Sequence, residues 1–321
     1  MVSTCAPLRV SLGGGGSDLP SHYREHGGFV LSAAIDRRVH VLVSTTFQPR
    51  FRLKHLEWEE VDAPGQVRHP ILRAALERHW EGRPLELASV SEVPPGTGLG
   101  SSGSYTVAVL KALRPELDAT ELAEAACEIE IEVLERSVGK QDQYAAAWGG
   151  VCAYTFEPDD SVEVRRLRLS AEVERALRDE FLLFFTGAER SASDLLSHQV
   201  NRTLAGDVAT AANLERAKSL ARETVAALEA GDLERCSELM DEGWELKRAR
   251  APGAVTEEIE ALRAAARGAG ARGVMLMGAG GGGFLLVRAP DPARVRRAMA
   301  EAGAPELRFG LDAAGARRLA A

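Results

Sequence analysis

Short stretches of this chain alternate between apolar and polar residues, a pattern typical of β-strands. Residues 8–12 alternate in this way, and the period of two places Arg9 on the face opposite the apolar side chains. Similar patterns occur at 28–47 and 85–93. The N-terminal region is therefore expected to be rich in strands that end at glycine-rich turns.

Apolar residues recur at helical spacing in a later segment with a clear start. Asp118 is expected to cap this helix, and Glu121 completes a capping box three residues later. The apolar stripe continues through Ile129 to Val133. One continuous helix is expected over this stretch.

The second half of the chain has a different pattern. The predicted elements are a strand at 181–186, helices near 207–230, 233–250 and 256–267, strands at 273–277 and 284–287, a helix near 292–302 and a strand near 307–309. Strands and helices in both halves predict an α+β protein of two lobes. We place the boundary between Ser161 and Glu180, which divides the chain into lobes of 1–170 and 171–321.

The composition is that of an acidic globular protein. Of the 321 residues, 45% are hydrophobic and 27% are charged, and the formal net charge is -8. This balance argues against nucleic acid or an anionic membrane as the main partner, because both require a basic surface. The four cysteines form no CxxC pair, and we expect free thiols. With no signal-like apolar segment at its start and no run of roughly 18 apolar residues, the chain is expected to be cytoplasmic.

A glycine-rich run follows the predicted strand at 85–93. Residues 94–104 read PPGTGLGSSGS and lead into a predicted helix. A strand, a flexible loop and a helix N-terminus in this order can bind an anion, because the first N–H groups of a helix have no partner within it. The serines offer hydroxyls to phosphate or Mg²⁺. The run has no Gly-Lys-Ser/Thr ending, so it is not a Walker A loop. The alternative is a turn that merely starts a helix.

Two further glycine runs flank this one in the sequence. Residues 278–283 read GAGGGG between two short strands, which indicates either close backbone approach or a flexible hairpin. Residues 13–16 are all glycine and precede Ser17 and Asp18. That aspartate can accept hydrogen bonds from sugar hydroxyls, or it can cap the next turn.

Together, these segments resemble the GHMP kinases, named for galactokinase, homoserine kinase, mevalonate kinase and phosphomevalonate kinase. The matching segments are APLRVSL with GGGGSD at 6–18, PPGTGLGSS at 94–102 and GAGGGG at 278–283. The resemblance covers nearly the whole chain, and three motifs in the right order make it specific. It implies an N-lobe like ribosomal protein S5 domain 2 and a ferredoxin-like C-lobe, with ATP bound by the N-lobe and the active site between the lobes.

Within the family, the segments look most like the kinases of D-glycero-D-manno-heptose 7-phosphate. The segments that carry this likeness are 14–20, GKQDQYAAAWGG at 139–150 and WELKR at 244–248. The departures from the family pattern are mild: Gly13 replaces the usual Ala, Ser17 the usual Thr, and Gly103 follows the two serines where Ala is commoner. Gly15 and Gly16 stand where galactokinases have a Glu-His pair, which counts against galactose.

The resemblance implies roles for residues around the nucleotide. Those expected to hold ATP are Pro95, Gly96, Gly98, Leu99, Gly100, Ser101 and Ser102. Ser102 and Glu130 are expected to hold Mg²⁺. Helix geometry alone does not choose between Glu130 and Glu132, since both lie roughly 80° from the centre of the apolar stripe. The alternative for either is a solvated acidic face.

The resemblance also implies roles around the acceptor. Asp142 is expected to accept the proton of the attacking hydroxyl or to orient that hydroxyl, with Arg9 beside it. Without the family, Asp142 would be a helix cap and Arg9 a surface charge. Asp18 is expected to bind sugar hydroxyls. The other expected substrate contacts are Gly15, Gly16, Ser17, Gly280 and Gly281, with Lys140, Arg190 and Lys247, and also Arg248, as candidate phosphate-binding cations. Each cation could equally be a solvated surface charge.

His22, Glu25 and His26 lie close together in the sequence. A metal site is one interpretation, and ordinary surface histidines are the other and the stronger one.

The leading functional hypothesis is transfer of the ATP γ-phosphate to a sugar hydroxyl. For a heptose 7-phosphate this is the anomeric hydroxyl. The alternatives are a GHMP kinase for another sugar, aminocyclitol or amino alcohol, and a catalytically silent sensor of sugar and ATP. A homodimer is left open.

Overall fold

The strands of the protein form two separate sheets. The computed structural model describes residues 1–187, 192–251 and 253–319. The strands are β1 Val2–Gly13, β2 Gly28–Thr45, β3 Phe51–Lys54, β4 Trp58–Val61, β5 Leu85–Ser91, β6 Val151–Phe156, β7 Val162–Arg166, β8 Phe181–Phe185, β9 Gly273–Leu276, β10 Phe284–Arg288, β11 Glu306–Leu307 and β12 Arg317–Arg318.

Helices connect these strands. They are α1 Pro20–His26, α2 Pro70–His79, α3 Ser101–Leu113, α4 Ala119–Cys127, α5 Gln141–Trp148, α6 Ala171–Asp179, α7 Ala192–Leu204, α8 Val208–Ala230, α9 Leu233–Arg250, α10 Glu257–Gly268 and α11 Pro292–Glu301. A short 3₁₀ turn covers Pro64–Gln66, and a π-helical turn covers Glu128–Val133.

The first sheet is built around the long strand β2. Its order is β12-β1-β2-β5-β3-β4, with β6 pairing the start of β2 and β7 pairing β6. All of these pairs are antiparallel except β3 with β5. Helix α3 packs against β1 and β2, so the glycine-rich loop before α3 lies beside the end of β1 that carries Arg9.

The second sheet has the order β11-β8-β10-β9 and is antiparallel. Helices join β8 to β9, a turn joins β9 to β10, and α11 joins β10 to β11. This is the β-α-β-β-α-β arrangement of a ferredoxin-like lobe. Its core packs Phe184 and Trp244 with residues of α10 and α11.

The end of the described chain returns to the first sheet. Strand β12 pairs with β1, with Thr4 opposite Arg318. These C-terminal residues fall in the segment that we assigned to the second lobe, whereas their hydrogen bonds are to the first. The division at 170 and 171 stays a prediction.

The predicted helix from Asp118 begins as expected but does not continue as one α-helix. Asp118 accepts hydrogen bonds from the N–H groups of Thr120 and Glu121, and Glu121 accepts one from Asp118 N–H, so the capping box is confirmed. The last turn, Glu128–Val133, is π-helical. The wider turn changes which side chains point inward: Glu130 is fully buried, whereas Glu132 is exposed and pairs with Arg24.

Two expectations from composition can be compared with the structure. The four cysteines are free and buried, which confirms that prediction. Across the described ranges, we find no helix with the length and apolar character needed to cross a bilayer.

Candidate active site

A cavity of about 830 Å³ opens between the two sheets. Its walls come from the end of β1, the loops before α3 and α5, helix α9 and the turn after β9. The three glycine-rich segments of the sequence all contribute to it.

The loop before α3 is shaped by glycines. Gly96, Gly98 and Gly100 have φ angles of 79°, 82° and 80°, a left-handed conformation that other residues rarely adopt. Within the described part of the chain no side chain caps the start of α3, so the first N–H groups of this helix are free to face an anion. Ser101 Oγ is buried there without a hydrogen-bond partner among the described residues.

The third glycine run, at 278–283, packs closely against this loop. A Cβ on Gly278 would lie 2.5 Å from Gly98 Cα, and one on Gly283 would overlap the carbonyl oxygen of Thr97. Gly280 and Gly281 instead pack against Ala254, and Gly281 N–H donates to the Ala254 carbonyl at 2.6 Å. Gly278 lines the cavity, whereas the two predicted substrate contacts Gly280 and Gly281 do not.

Arg9 and Asp142 form an ion pair that lines the cavity, with the Arg9 side chain buried and the Asp142 side chain partly exposed. Arg9 Nε donates to Asp142 Oδ1 at 2.9 Å, and Nη2 lies 2.7 Å from the same oxygen. Arg9 Nη1 donates to the Gly98 carbonyl at 2.6 Å, which ties the pair to the glycine-rich loop. Within the described residues, Oδ2 of Asp142 makes no hydrogen bond. The structure therefore brings Arg9 and Asp142 together as the resemblance implied.

Glu130 lies at the N-terminal end of α3 beside Ser102. Ser102 Oγ donates to Glu130 Oε2, and Thr106 Oγ1 and Gln143 Nε2 donate to Oε1 at 3.1 and 2.9 Å. Arg136 Nη1 donates to Glu130 Oε2 and to Ser102 Oγ, both at 2.8 Å. Burial raises the pKa of the Glu130 carboxyl, and the hydrogen bond from Ser102 opposes that rise.

Sequence reasoning missed three members of this cluster: Thr106, Gln143 and Arg136. Gln143 stands next to Asp142 in a segment that already carried the family likeness, so its proximity was a usable signal. Arg136 follows the π-helical turn, and nothing in the periodicity indicated that its guanidinium would reach back to Ser102.

Asp18 is held by backbone N–H groups at the bottom of the cavity. Gly16 N donates to Oδ1 at 2.9 Å and Gln141 N donates to Oδ2 at 3.1 Å. Burial raises the pKa of this carboxyl, and the hydrogen bond from Gln141 opposes that rise. Gly15 and Gly16 line the cavity with it. The Ser17 hydroxyl instead donates to the carbonyls of Gly14 and Phe29 at 2.8 and 3.0 Å, so it holds the turn and does not line the cavity.

The predicted phosphate-binding cations separate into different places. Lys247 lines the cavity. Lys140 donates to the Asp160 carbonyl at 2.7 Å and lies over the Tyr23 ring, away from the cavity. Arg248 is exposed and pairs with Glu245 at 2.6 Å. Arg190 falls outside the described residues.

Arg250 lines the cavity and was missed by sequence reasoning. It stands one helical turn after Lys247 on α9, a spacing that puts both side chains on one face. That spacing was the available signal.

One wall of the cavity is aromatic and apolar, and it was also missed. The His69 ring packs against the Tyr105 ring with centroids 5.1 Å apart and planes inclined by 56°. Leu56, Val90 and His55 line the same cavity. Burial lowers the pKa of His69 to about 4, so this imidazole is neutral at physiological pH.

The cluster of His22, Glu25 and His26 does not form a metal centre. His22 is fully buried, which corrects the expectation of a surface histidine, and its nearest acidic group is Glu215 at 3.5 Å. His26 faces Glu25 at 3.6 Å. No group of three or more metal-ligating side chains occurs among the residues that the structure describes.

Comparison with known proteins defines the class. Residues 69–150 match the GHMP kinases N terminal domain and residues 224–305 match the GHMP kinases C terminal domain. The chain is 30% identical to the mevalonate kinase of Aeropyrum pernix over 83% of each chain. It belongs to the GHMP kinase family, and it is a phosphotransferase that acts on a hydroxyl group.

Two of the similar proteins are named as kinases of heptose phosphates. The chain is 29% identical to the D-glycero-alpha-D-manno-heptose 7-phosphate kinase of Campylobacter jejuni, over 89% of this chain and 88% of that one. The crystal structure of a D-glycero-D-manno-heptose 1-phosphate kinase from Bacteroides thetaiotaomicron is similar with a TM-score of 0.80 and 26% identity, over 100% of this chain and 99% of that one. These matches confirm the predicted two-lobed GHMP kinase fold. Kinases of this family use ATP, generally with Mg²⁺.

Proposed function

We propose that the chain transfers the γ-phosphate of ATP to a hydroxyl of a sugar or sugar phosphate, with D-glycero-D-manno-heptose 7-phosphate as the first candidate acceptor and its anomeric hydroxyl as the site. One observation carries this proposal: Arg9 joins the Asp142 carboxylate to the glycine-rich loop, through contacts of 2.7 Å to Asp142 and 2.6 Å to Gly98. A base and a phosphate-binding loop are thereby held next to each other. The two relatives whose names contain heptose phosphates support the choice of acceptor.

Asp142 acts on the acceptor hydroxyl in this proposal. Both Arg9 contacts go to Oδ1, so Oδ2 is the oxygen that can accept the hydroxyl proton or orient that hydroxyl. Arg9 keeps the carboxylate in place and adds positive charge where the phosphoryl group is transferred. Phosphoryl transfer depends mainly on such positioning and charge stabilisation.

The glycine-rich loop holds the phosphates of ATP. Its residues Pro95, Gly96, Gly98 and Gly100 line the cavity with Ser101 and Ser102, and the uncapped start of α3 faces the same space. The unpartnered Ser101 hydroxyl offers a further donor to a phosphate oxygen.

Ser102 and Glu130 fit a magnesium ion, because a hydroxyl and a buried carboxylate are the hard oxygen ligands that Mg²⁺ prefers. A bound Mg²⁺ would neutralise charge on the phosphates. Arg136 bonds to the same two oxygens, so its guanidinium must leave them when a cation binds.

Asp18 binds acceptor hydroxyls in this proposal. The residue is 7% exposed, and each carboxylate oxygen already accepts one backbone hydrogen bond, which fixes its orientation and leaves further lone pairs for a ligand. Gly15 and Gly16 provide backbone at the same wall. The acceptor thus lies between Asp18 and Asp142. A cytoplasmic location, where ATP is available, is part of the same proposal.

An acceptor panel tests the function. ADP release would be measured with heptose 7-phosphate, the dephosphorylated heptose, common hexoses and mevalonate side by side. We expect the highest kcat/KM with a sugar or sugar phosphate. Turnover with mevalonate alone would overturn the sugar assignment, and tight binding of a sugar without any turnover would favour a sensor.

A further inference from the structure

Two cations in the cavity have no acidic partner among the residues that the structure describes. Arg9 pairs with Asp142 and Arg136 pairs with Glu130. Lys247 and Arg250 also line the cavity, yet within the described ranges neither has a carboxylate within ion-pair distance.

Neutral groups hold these two side chains in place. Lys247 Nζ donates to the carbonyls of Leu276 and Gly278, the latter at 2.6 Å. Arg250 Nη1 donates to Asn213 Oδ1 at 2.9 Å, and Nη2 donates to the Gly15 carbonyl at 3.0 Å. Such contacts orient the cations without neutralising their charge.

The arrangement is electrostatically unfavourable without an anion. Burial lowers the pKa of Lys247 to about 7, and the nearby charges of Arg250 and Arg9 lower it in the same direction. Burial lowers the pKa of Arg250 to about 10, although Asp18 opposes this. A bound anion would offset the cost of desolvation and the repulsion between like charges.

The position of Arg250 assigns the anion to the acceptor. Arg250 is bonded to Gly15, in the same turn as Asp18, on the wall that faces acceptor hydroxyls. The glycine-rich loop that is proposed to hold the ATP phosphates meets Arg9 at the Gly98 carbonyl. Lys247 donates to the Gly278 carbonyl, and Gly278 packs against Gly98 of this loop, so the two cations bridge the nucleotide loop and the Asp18 turn. Because Arg250 lies at the Asp18 turn, an anion held by both cations reaches the acceptor side of the cavity.

We propose that Lys247 and Arg250 form a subsite for a phosphate monoester on the acceptor. This inference rests on the proposed function and narrows it from sugars in general to sugar phosphates. A phosphate monoester carries nearly two negative charges at neutral pH, which matches two cations, and a guanidinium can hold two of its oxygens at once.

The test compares acceptors and variants. Lys247→Met and Arg250→Met would be assayed with heptose 7-phosphate and with the dephosphorylated heptose, and the KM for ATP would be measured for each. The matched control is Arg248→Met, because Arg248 lies on the same helix but is exposed and paired with Glu245.

The wild-type protein is expected to prefer the phosphorylated acceptor by on the order of 100-fold in kcat/KM, since two charge-assisted contacts are involved. Each variant should lose most of that preference while its KM for ATP stays within about threefold. The control should keep the preference. An equal loss of kcat/KM for both acceptors would overturn the proposal. A change seen mainly in the KM for ATP would also overturn it and would assign the cations to the ATP phosphates.

A binding measurement on the wild-type protein separates this inference from the proposed function. Calorimetric titration without ATP would compare heptose 7-phosphate with the dephosphorylated heptose. Tighter binding of the phosphorylated sugar, weakened by about tenfold or more when NaCl is raised from 50 to 500 mM, supports the subsite even if turnover fails. Equal affinities for the two sugars would overturn the subsite, even if both were turned over or the variants failed to fold.

Discussion

A single methyl group added at Gly139 should displace the carboxylate that is proposed to bind the acceptor. A Cβ built on Gly139 would overlap Oδ2 and Cγ of Asp18 and would lie 3.0 Å from the Asp18 carbonyl oxygen. The carboxylate would have to move by about 1 Å or more to reach ordinary contact. That movement breaks its hydrogen bond from Gln141 N.

Two effects set the magnitude for Gly139→Ala. Overpacking costs about 1–3 kcal/mol, and an unsatisfied buried acceptor costs a similar amount. We expect the free energy of unfolding to fall by about 3 kcal/mol, and KM for the acceptor to rise by about tenfold or more because each 1.4 kcal/mol of lost binding is tenfold. The dissociation constant for ATP should change by less than about threefold, since Gly139 is not part of the nucleotide loop.

Urea unfolding, steady-state kinetics and nucleotide titration would measure these three quantities. The matched control is Gly268→Ala, which adds the same methyl group at an exposed site with no atom within 4 Å and should be neutral or stabilising. An unchanged acceptor KM in a folded Gly139→Ala protein would refute the idea that the observed position of Asp18 is needed for acceptor binding.

Three further predictions concern other parts of the structure. Glu130→Gln should lower kcat by about 100-fold or more with the fold retained, because Glu130 is buried beside Ser102. The kcat of the control Glu132→Gln should stay within about twofold of wild type. Comparable losses of kcat in the two variants would contradict the role of the π-helical turn. Gly98→Ala should lower the free energy of unfolding in urea by about 3 kcal/mol, because it adds backbone strain and a clash with the Met277 carbonyl. The control Gly206→Ala adds only the backbone strain, about 1 kcal/mol. Equal losses of unfolding free energy would mean that loop packing contributes nothing. Burial lowers the pKa of His22 from 6.5 to about 4. As the pH falls, the imidazole is therefore protonated in the unfolded chain before it is protonated in the folded protein. The stability that comes from keeping His22 neutral is complete above pH 6.5 and is lost as the pH falls towards 4. Between pH 7.5 and pH 5 the free energy of unfolding should therefore fall by about 2 kcal/mol less in His22→Leu than in the wild-type protein. Equal falls for the two proteins in urea unfolding would disprove this.

Local patterns predicted the elements well because they depend on neighbouring residues. The capping box at Asp118 and the strand that carries Arg9 follow from spacing alone. The role of the glycine run at 278–283 could not be predicted from spacing. These glycines allow close contact with the loop at Gly98, which lies far away in the sequence.

The remaining differences come from tertiary contacts that override a local pattern. A helical wheel treats Glu130 and Glu132 alike, and a π-helical turn decides between them. Arg248 and Arg250 are equally basic in the sequence, but Arg248 meets Glu245 at the surface whereas Arg250 reaches the Gly15 carbonyl. The Ser17 hydroxyl is consumed by two backbone carbonyls that no periodicity indicates.

The most direct test of the central claim is Asp142→Asn, because the proposed chemistry depends on a carboxylate at this position beside the phosphate loop. Asparagine keeps the size of the side chain but removes the base and its charged contact with Arg9. The matched control is Asp291→Asn, which changes an exposed aspartate that makes no capping hydrogen bond.

Single-turnover transfer from labelled ATP to heptose 7-phosphate would be measured together with ATP affinity by titration. The account predicts a loss of transfer of about 100- to 10,000-fold, with ATP affinity within a few-fold of wild type and the control unchanged. Transfer at a near-wild-type rate in Asp142→Asn would contradict it.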